Sequence, residues 1–495
     1  MKAKNYLIIS VIASFFAIGC KKSYLDTKPS NAILPEDIYA TIASLKTAIG
    51  GAYFSTFDYA IVAGGGAMHD AYGQKSIDLA NDLMGNDMVV NSQGFGWYNT
   101  DYNYTAWQRP LGVNTRSAIT WSFYYDIIKQ SNLLLEALST QTLNADKQAI
   151  AGEAYALRAW AHFGLINNFQ QTYFGNENAK GVPLYTSIGP AKGRGTVSEV
   201  YAQIINDLNT AEGLLDGRPR ESKQRIDVSV VRGFLARVYL VQEEWAKAAS
   251  KAHEARTAQP YRLMERDVYK SRSAFSSISN DEWMWGAFIP ATQATIFASF
   301  FAHMDATQLS YAQVGQQKKI TKDLYDRIPV GDIRKEVFRA TDTTNLPAYT
   351  QTKFSVPALG SWAADYLYMR AAEMYLIEAE ALARDTKEDE AIKVLEELVQ
   401  KRYPPYSAKS FSGTALINEI LIQRRIELWG EGFSLFDIKR NKTGLNRPSG
   451  SGNHGLPNLN PVVFTLPDAS PLFLMRIPQV ELDANPNMTP GDQNP

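Results

Sequence analysis

The chain has 495 residues, 45% of them hydrophobic and 20% charged, which is an ordinary globular composition and neither a disordered nor a fibrous one. Its 50 Lys+Arg and 51 Asp+Glu leave a net charge of −1, with no basic excess to displace counterions from a polyphosphate, so general nucleic-acid binding is disfavoured. One cysteine and five scattered histidines leave no intramolecular disulfide, no cysteine metal cage and no histidine pair at helical ligand spacing.

Lys2 and Lys4 precede an apolar run from Tyr6 to Gly19, which is shorter than the ~20 residues a spanning helix needs and fits a signal-peptide core. It ends at Ala17-Ile18-Gly19-Cys20, which looks like a bacterial lipobox. Residues 1–19 are therefore expected to be a lipoprotein signal peptide, with Cys20 as the lipid anchor. Several acyl chains on one residue satisfy the requirement for stable membrane attachment.

Helical periodicity then dominates. Pro35 to Phe54 carries Ile38, Ile42, Leu45 and Ile49 on one face, and Ser117 to Leu138 carries Trp121, Tyr125, Ile128, Leu133 and Leu135. Lys147 to Phe169 follows, with Ala154, Leu157, Ala161 and Leu165; Ser198 to Leu215 opens on Ser198 as its cap. Two stretches look like copies of one unit: Val231–Val241 then Trp245–Ala255, and Met369–Ala383 then Glu390–Leu398. Each is a helix rich in alanine and aromatics, a short break and a second helix, similar to a tetratricopeptide hairpin. The expected fold is mostly α, built of tetratricopeptide-like repeats with long loops and a few short strands. The strands are expected at Glu282–Trp285 and Pro461–Leu466, and long irregular stretches at 64–108, 216–225, 290–329 and from Asn441 onward. The mature chain divides provisionally at 20–215 and 216–495 within one structural unit.

The carboxylates near the C-terminus raise the question of glycoside hydrolysis, which needs a pair flanking the scissile bond. Glu427 and Glu431 instead stand at i,i+4 beside Arg424, Arg425 and Arg440, the spacing of helix-surface ion pairs. Gly64-Gly65-Gly66 lacks the lysine and hydroxyl of a phosphate loop. The aromatic loops are the better candidates. Gly94 to Trp107 mixes Trp97, Tyr98, Tyr102, Tyr104 and Trp107 with Asn99 and Asp101. A sugar ring offers an apolar face for stacking and hydroxyls for amides and carboxylates, so this mixture suits a glycan. Trp97, Tyr102 and Trp107 could equally pin the loop to the helical body. A second candidate loop carries Phe297, Phe300, Phe301, His303, Gln308 and Tyr311, where Phe300-Phe301 could be core and His303 a satisfied structural histidine.

Four segments together resemble one family. They are Leu25-Asp26 to Pro29 after Cys20; Glu153-Ala-Tyr-Ala-Leu-Arg158-Ala159 leading to Gly181-Val-Pro-Leu184; Arg424-Arg425-Ile-Glu427-Leu with Glu431-Gly432 and Asp437-Ile-Lys-Arg440; and the closing Ile477-Pro, Asn485-Pro and Gln493-Asn494-Pro495. In that order they are similar to the SusD/RagB-like outer-membrane nutrient-binding lipoproteins of Bacteroidota. The resemblance implies four tetratricopeptide-like units, no catalysis and no cofactor. It also implies capture of an oligosaccharide or polysaccharide, in some members a peptide, and delivery to a SusC-like TonB-dependent transporter at the outer membrane. It treats the Arg424–Arg440 cluster as a fold signature and favours Trp97 or Tyr98 as the stacking residue. The expected ligand contacts are Trp97, Tyr98, Asn99, Asp101, Tyr102, Tyr104, Phe300, His303 and Tyr311. The rival readings are the same scaffold holding a peptide, an envelope glycosidase, and a helical adaptor with no small ligand.

Overall fold

Thr41 opens the first helix: its hydroxyl accepts the Ser44 amide at 3.1 Å, and the Ser44 hydroxyl accepts the Thr41 amide at 3.1 Å. The computed structural model describes residues 39–58, 68–112, 115–344, 346–455 and 462–495. The signal peptide, Cys20, the Leu25–Pro29 motif, the Pro35–Ile38 start of the first expected helix, Gly64–Gly66 and Pro461 lie outside the described residues.

The longer helices are numbered here in chain order. They are α1 (Ile42–Ser55), α2 (Gln74–Leu83), α3 (Arg116–Ser139), α4 (Ala145–Phe169), α5 (Val197–Leu215), α6 (Val228–Val241), α7 (Trp245–Thr257), α8 (Ala371–Arg384), α9 (Glu388–Arg402), α10 (Gly413–Glu427) and α11 (Ser434–Arg440). The strands are β1 (Met88–Val90), β2 (Lys180–Pro183), β3 (Arg194–Thr196), β4 (Trp283–Ala287), β5 (Lys318–Ile320), β6 (Tyr366–Arg370), β7 (Leu445–Asn446) and β8 (Thr465–Leu466). They form two-stranded antiparallel ribbons, β1–β5, β2–β3, β4–β6 and β7–β8. The fold is mostly α, with tetratricopeptide-like pairs: α4 packs on α5, α6 on α7, α8 on α9, and α7 bridges the second pair to α8.

The two repeats recognised in sequence share their turn. After α6, Glu243 takes a left-handed φ of 61°, and the Glu244 amide donates to Tyr239 O at 3.0 Å. After α8, Thr386 takes 62°, and the Lys387 amide donates to Leu382 O at 2.9 Å. Both are left-handed helix terminations that satisfy carbonyls the helix itself leaves unpaired. Ala248, Ala249, Ala252 and Ala255 are buried along α7, and their small side chains let α6 and α8 approach from either side.

Several boundaries differ from the sequence reading. The α5 cap is Thr196, whose hydroxyl accepts the Glu199 amide at 3.2 Å while the Glu199 carboxylate accepts the Thr196 amide at 2.7 Å; Ser198 lies inside the first turn. On α3 the expected Trp121 and Ile128 are buried together with Tyr124, Ile127, Leu134 and Leu138, and Tyr125, Leu133 and Leu135 sit beside that face. Met369 and Arg370 end β6 and precede α8. In the expected strand at 461–466, only Thr465–Leu466 is a strand among the described residues. The stretch 64–108 contains α2 and β1, and 290–329 contains β5 and two short helices, Phe300–Met304 and Lys322–Asp326.

Motif residues act as ties between helices. Glu153 on α4 accepts Tyr53 of α1 at 2.6 Å and the Arg225 guanidinium at 2.5 and 2.8 Å. Arg158, a turn later, grips Asp207 of α5 through two bonds of 2.8 and 2.6 Å. The C-terminal cluster is not on a helix surface, as its spacing suggested. Glu427 ends α10 fully buried, and Glu431 lies beyond the helix, buried against Arg370 and Lys353. Arg334, Arg370 and Arg402 converge on Glu427, and Glu282 joins Arg370 and Arg402 from the other side. Burial pushes the Glu427 carboxyl up, but the three arginines overcome it and hold the group far below its ordinary value. Arg424 and Arg440 meet on Asp437 at 2.7 Å each, and Arg425 clasps Asp87 at 2.6 and 2.8 Å.

Candidate functional site

Two loops far apart in sequence leave from one ribbon. Met88 pairs with Ile320, Val89 with Lys319 and Val90 with Lys318. The pairing continues past the strands, with the Asn91 amide donating to Gln317 O at 3.0 Å and the Ser92 hydroxyl to Gly315 O at 2.6 Å. Gln316, fully buried, then donates from Nε2 to Gln93 O at 2.7 Å and Trp97 O at 3.0 Å. One amide side chain thus staples the 91–97 loop to the 297–316 loop.

The loop aromatics divide between two directions. Tyr98 adopts φ 63° and turns inward, its hydroxyl donating to the Tyr72 hydroxyl at 2.6 Å under the Arg116 guanidinium. Asp101 is buried and accepts Arg116 Nε at 3.0 Å, while the same arginine reaches Asp70 at 2.9 Å. The Tyr102 hydroxyl bonds His454 Nδ1, and Tyr104, again at positive φ, donates to Met84 O. Trp107 is fully buried. Asn99 is half-buried and donates to Gln93 O at 3.2 Å. Phe95, 70% exposed between two glycines, faces out, and Trp97 is half-buried, packed against the core.

The second loop divides in the same way. Phe300 packs against Phe354 at 5.1 Å, with the Lys75 ammonium 4.5 Å from its ring. His303 has no exposed surface. Its ring lies between Tyr311 at 5.0 Å and Tyr72 at 5.8 Å, and Nε2 donates to His69 O at 2.7 Å. Burial, with Lys318 nearby, drives its pKa well down, so the ring is neutral. Six of the expected contacts are therefore corrected to supports: Tyr98, Asp101, Tyr102, Tyr104, Phe300 and His303 hold the loops from within and offer no face to a ligand.

Trp97 and Tyr311 do come together. Tyr311 is buried, with 7% of its surface exposed, and around it stand Phe95 at 5.5 Å, Phe297 at 5.5 Å, His69 at 5.8 Å and Trp97 at 6.1 Å. His69 stacks on Phe297 at 5.7 Å and bonds the Tyr311 hydroxyl through Nδ1. Phe297 is 43% exposed. A third segment borders this surface. Gln308 accepts the Gly360 amide at 2.9 Å and donates to Ser361 O at 3.4 Å, and the residues next to these bonds include Leu309, 67% exposed, and Leu359, 66% exposed. Solvent-facing apolar surface gathered in this way makes the loops a candidate interaction site. The sequence reading missed His69, which had no local signal, and Phe95, whose flanking Gly94 and Gly96 hinted at an exposed turn.

A separate cleft of about 420 Å³ lies beside α10 and α11, lined by Trp429, Phe433, Arg424 and Arg425. Its arginines are engaged by Asp437 and Asp87. No group of three or more histidine, cysteine, aspartate or glutamate side chains that could hold a metal occurs among the described residues, and no helix among them is long and apolar enough to cross a membrane.

Fold and surface together define a helical-repeat protein with a stapled aromatic face. Residues 245–495 match the family model described as the SusD family, and residues 23–240 match one described as starch-binding and associating with the outer membrane. The chain belongs to the SusD family. It is similar to SusD-like protein P2 of Formosa agariphila, 23% identical over 99% of both chains, and to a SusD-like protein of Bacteroides ovatus, 27% identical over 51% of this chain and 41% of that one. Among solved structures, it resembles a SusD-like carbohydrate binding protein from Bacteroides vulgatus with a TM-score of 0.78 and 28% identity, covering 92% of this chain and 98% of that one.

Proposed function

We propose that this protein is a glycan-capturing lipoprotein of the outer membrane. In this reading Cys20 carries the lipid anchor, the surface around Tyr311 holds an oligosaccharide or polysaccharide, and a SusC-like TonB-dependent transporter receives it. The protein performs no chemistry on the glycan. The observation that carries the reading is the grouping of Phe95, Trp97, Phe297 and His69 around Tyr311, with two of the rings turned to solvent on stapled loops. Rings fixed before binding lose little freedom on stacking against a pyranose face. Membership of the SusD family and the likeness to a carbohydrate binding protein support the same ligand class.

The test is calorimetric titration of the purified protein with a panel of polysaccharides and, in parallel, peptides. Binding to a glycan that is weakened by Trp97→Ala supports the assignment. Binding to peptides alone would sink it, and release of new reducing ends during incubation would point to a glycosidase. Co-purification of a TonB-dependent barrel from native membranes, lost when Cys20 is replaced by serine, tests anchoring and partnership together.

A further inference from the structure

One residue in five of this chain is charged, yet the segments that build the aromatic face carry almost no charge. The segment that brings His69 to the face also carries Asp70, half-buried and paired with Arg116, whereas residues 88–108, 288–317 and 355–364 contain no lysine or arginine and have only Asp101 and Asp305 as carboxylates. Both carboxylates are buried and bound inward. Asp101 is held by Arg116, and Asp305 accepts Arg272 at 3.0 Å and the Val356 amide at 2.9 Å.

Three neighbouring cations are engaged by other groups. Arg116 is buried between Asp101 and Asp70. Lys318 has no exposed surface, and its ammonium donates to Gln316 O at 2.9 Å beneath the loop. Arg272, at the edge, is committed to Asp305 and to the Thr307 hydroxyl at 3.0 Å. The exposed polar side chains on these loops are neutral, the amides of Gln93, Gln293 and Gln313 and the hydroxyls of Thr292 and Thr307.

From this we infer that the ligand is an uncharged glycan, made of neutral sugars without uronate, sulfate or phosphate groups. The inference rests on the glycan reading given above and narrows it. An anionic sugar laid on this surface would lose water from its carboxylate or sulfate and gain no cation in exchange, a desolvation cost with nothing to offset it. A neutral sugar needs only the ring faces and amide hydrogen bonds that are present. Because no ion pair forms, its affinity is insensitive to ionic strength.

The experiment titrates the detergent-solubilised full chain with neutral polysaccharides (a β-glucan, a galactomannan, an arabinoxylan), with carboxylated ones (polygalacturonate, alginate) and with a sulfated carrageenan. Each titration is run at low and at high sodium chloride, with Trp97→Ala and Phe297→Ala beside the native chain. The expected result is binding to a neutral polymer, with a Kd that changes by less than about twofold between salts, weakened in either variant, and none to the anionic polymers. Saturable binding to an anionic polymer that both variants lose would overturn the neutral assignment and leave the site in place. Absence of binding to every glycan, or glycan binding that neither variant affects, would bring down the site itself and this inference with it. Phe297 is exposed, so its variant keeps the test valid even if Trp97→Ala disturbs the loop.

Discussion

Arg402 and Glu427 meet where α9 and α10 end, with no exposed surface on either side chain, and Arg402 donates to the carboxylate from Nε at 3.2 Å and Nη2 at 3.0 Å. Arg370 at the end of β6 shares the same Oε1 at 2.8 Å, and Arg334 approaches the other oxygen. Replacing Glu427 by alanine removes the anion from beneath three guanidinium groups. Uncompensated buried charge costs about 3–5 kcal/mol, so Glu427→Ala should unfold at markedly lower urea than the native chain. An unchanged unfolding midpoint would show that the network contributes little.

Trp97 and Tyr98 are adjacent but should behave as opposites. Trp97→Ala takes a ring from the outer face and should weaken glycan binding roughly tenfold, about 1.4 kcal/mol, with little change in melting temperature. Tyr98→Ala empties a core position and orphans the Tyr72 hydroxyl, and should cost about 3–5 kcal/mol of stability. Paired calorimetry and thermal melts of the two variants decide the matter; equal effects on stability would remove the distinction.

Buried histidines make the fold sensitive to acid in the range where free imidazole takes a proton. Burial, then the nearby Arg158, pushes His162 down to about 3; burial, then Arg447, does the same to His454. In the unfolded chain both imidazoles take a proton near their ordinary value of about 6.5. Between those limits the unfolded state binds more protons, so this stability is complete above about pH 6.5 and declines as pH falls toward 3. Asp82 works against it: burial raises its carboxyl to about 7, despite the Gly432 and Ser434 amides, so its contribution declines as pH rises through that range. Asp78, Asp101, Glu153 and Asp207 are raised by burial in the same sense as Asp82, and His303 is lowered like the other two histidines, so the His162 share is read by difference. The urea midpoint of the native chain relative to His162→Asn should rise from about pH 4 to about pH 7, and a difference that does not change with pH would refute the account.

Gly432 follows Glu431 at a φ of 95°, and a Cβ there would lie 2.6 Å from the Asp78 Cβ. Its amide donates to Asp82 at 2.8 Å. Gly432→Ala adds both backbone strain and a clash, and should lower stability by more than about 2 kcal/mol. A native melting temperature in that variant would count against the argument.

The repeat helices were legible because alanines and aromatics recur at three and four residues, as along α7, and nothing else in the chain competes with that period. Helix α2 was not legible. Asp78, Asn81 and Asp82 are polar yet buried, and the groups that satisfy Asp82 come from Gly432 and Ser434, more than three hundred residues away. The residues of the candidate site were legible as two aromatic loops, Trp97 and Tyr311 among them, but their meeting in one group was not. Which rings face out depends on left-handed turns at Tyr98 and Tyr104 and on distant partners such as His454, and no local pattern encodes either. The Glu427–Glu431 spacing misled because i,i+4 describes neighbours on a helix, and the helix ends at Glu427.

The ribbon between Met88–Val90 and Lys318–Ile320 also sets an order of events. The first loop is synthesised early, but Gln316, which holds Gln93 and Trp97, emerges only after most of the chain. Pairing across such a separation is slow to form compared with the local helical hairpins. The earlier hairpins, α4–α5 and α6–α7, can therefore form while the proposed binding face is still absent, and a chain arrested before Gln316 would carry those helices without the staple between the two loops. Competence to bind thus arrives as a late checkpoint, reached only by molecules that have completed their long-range folding.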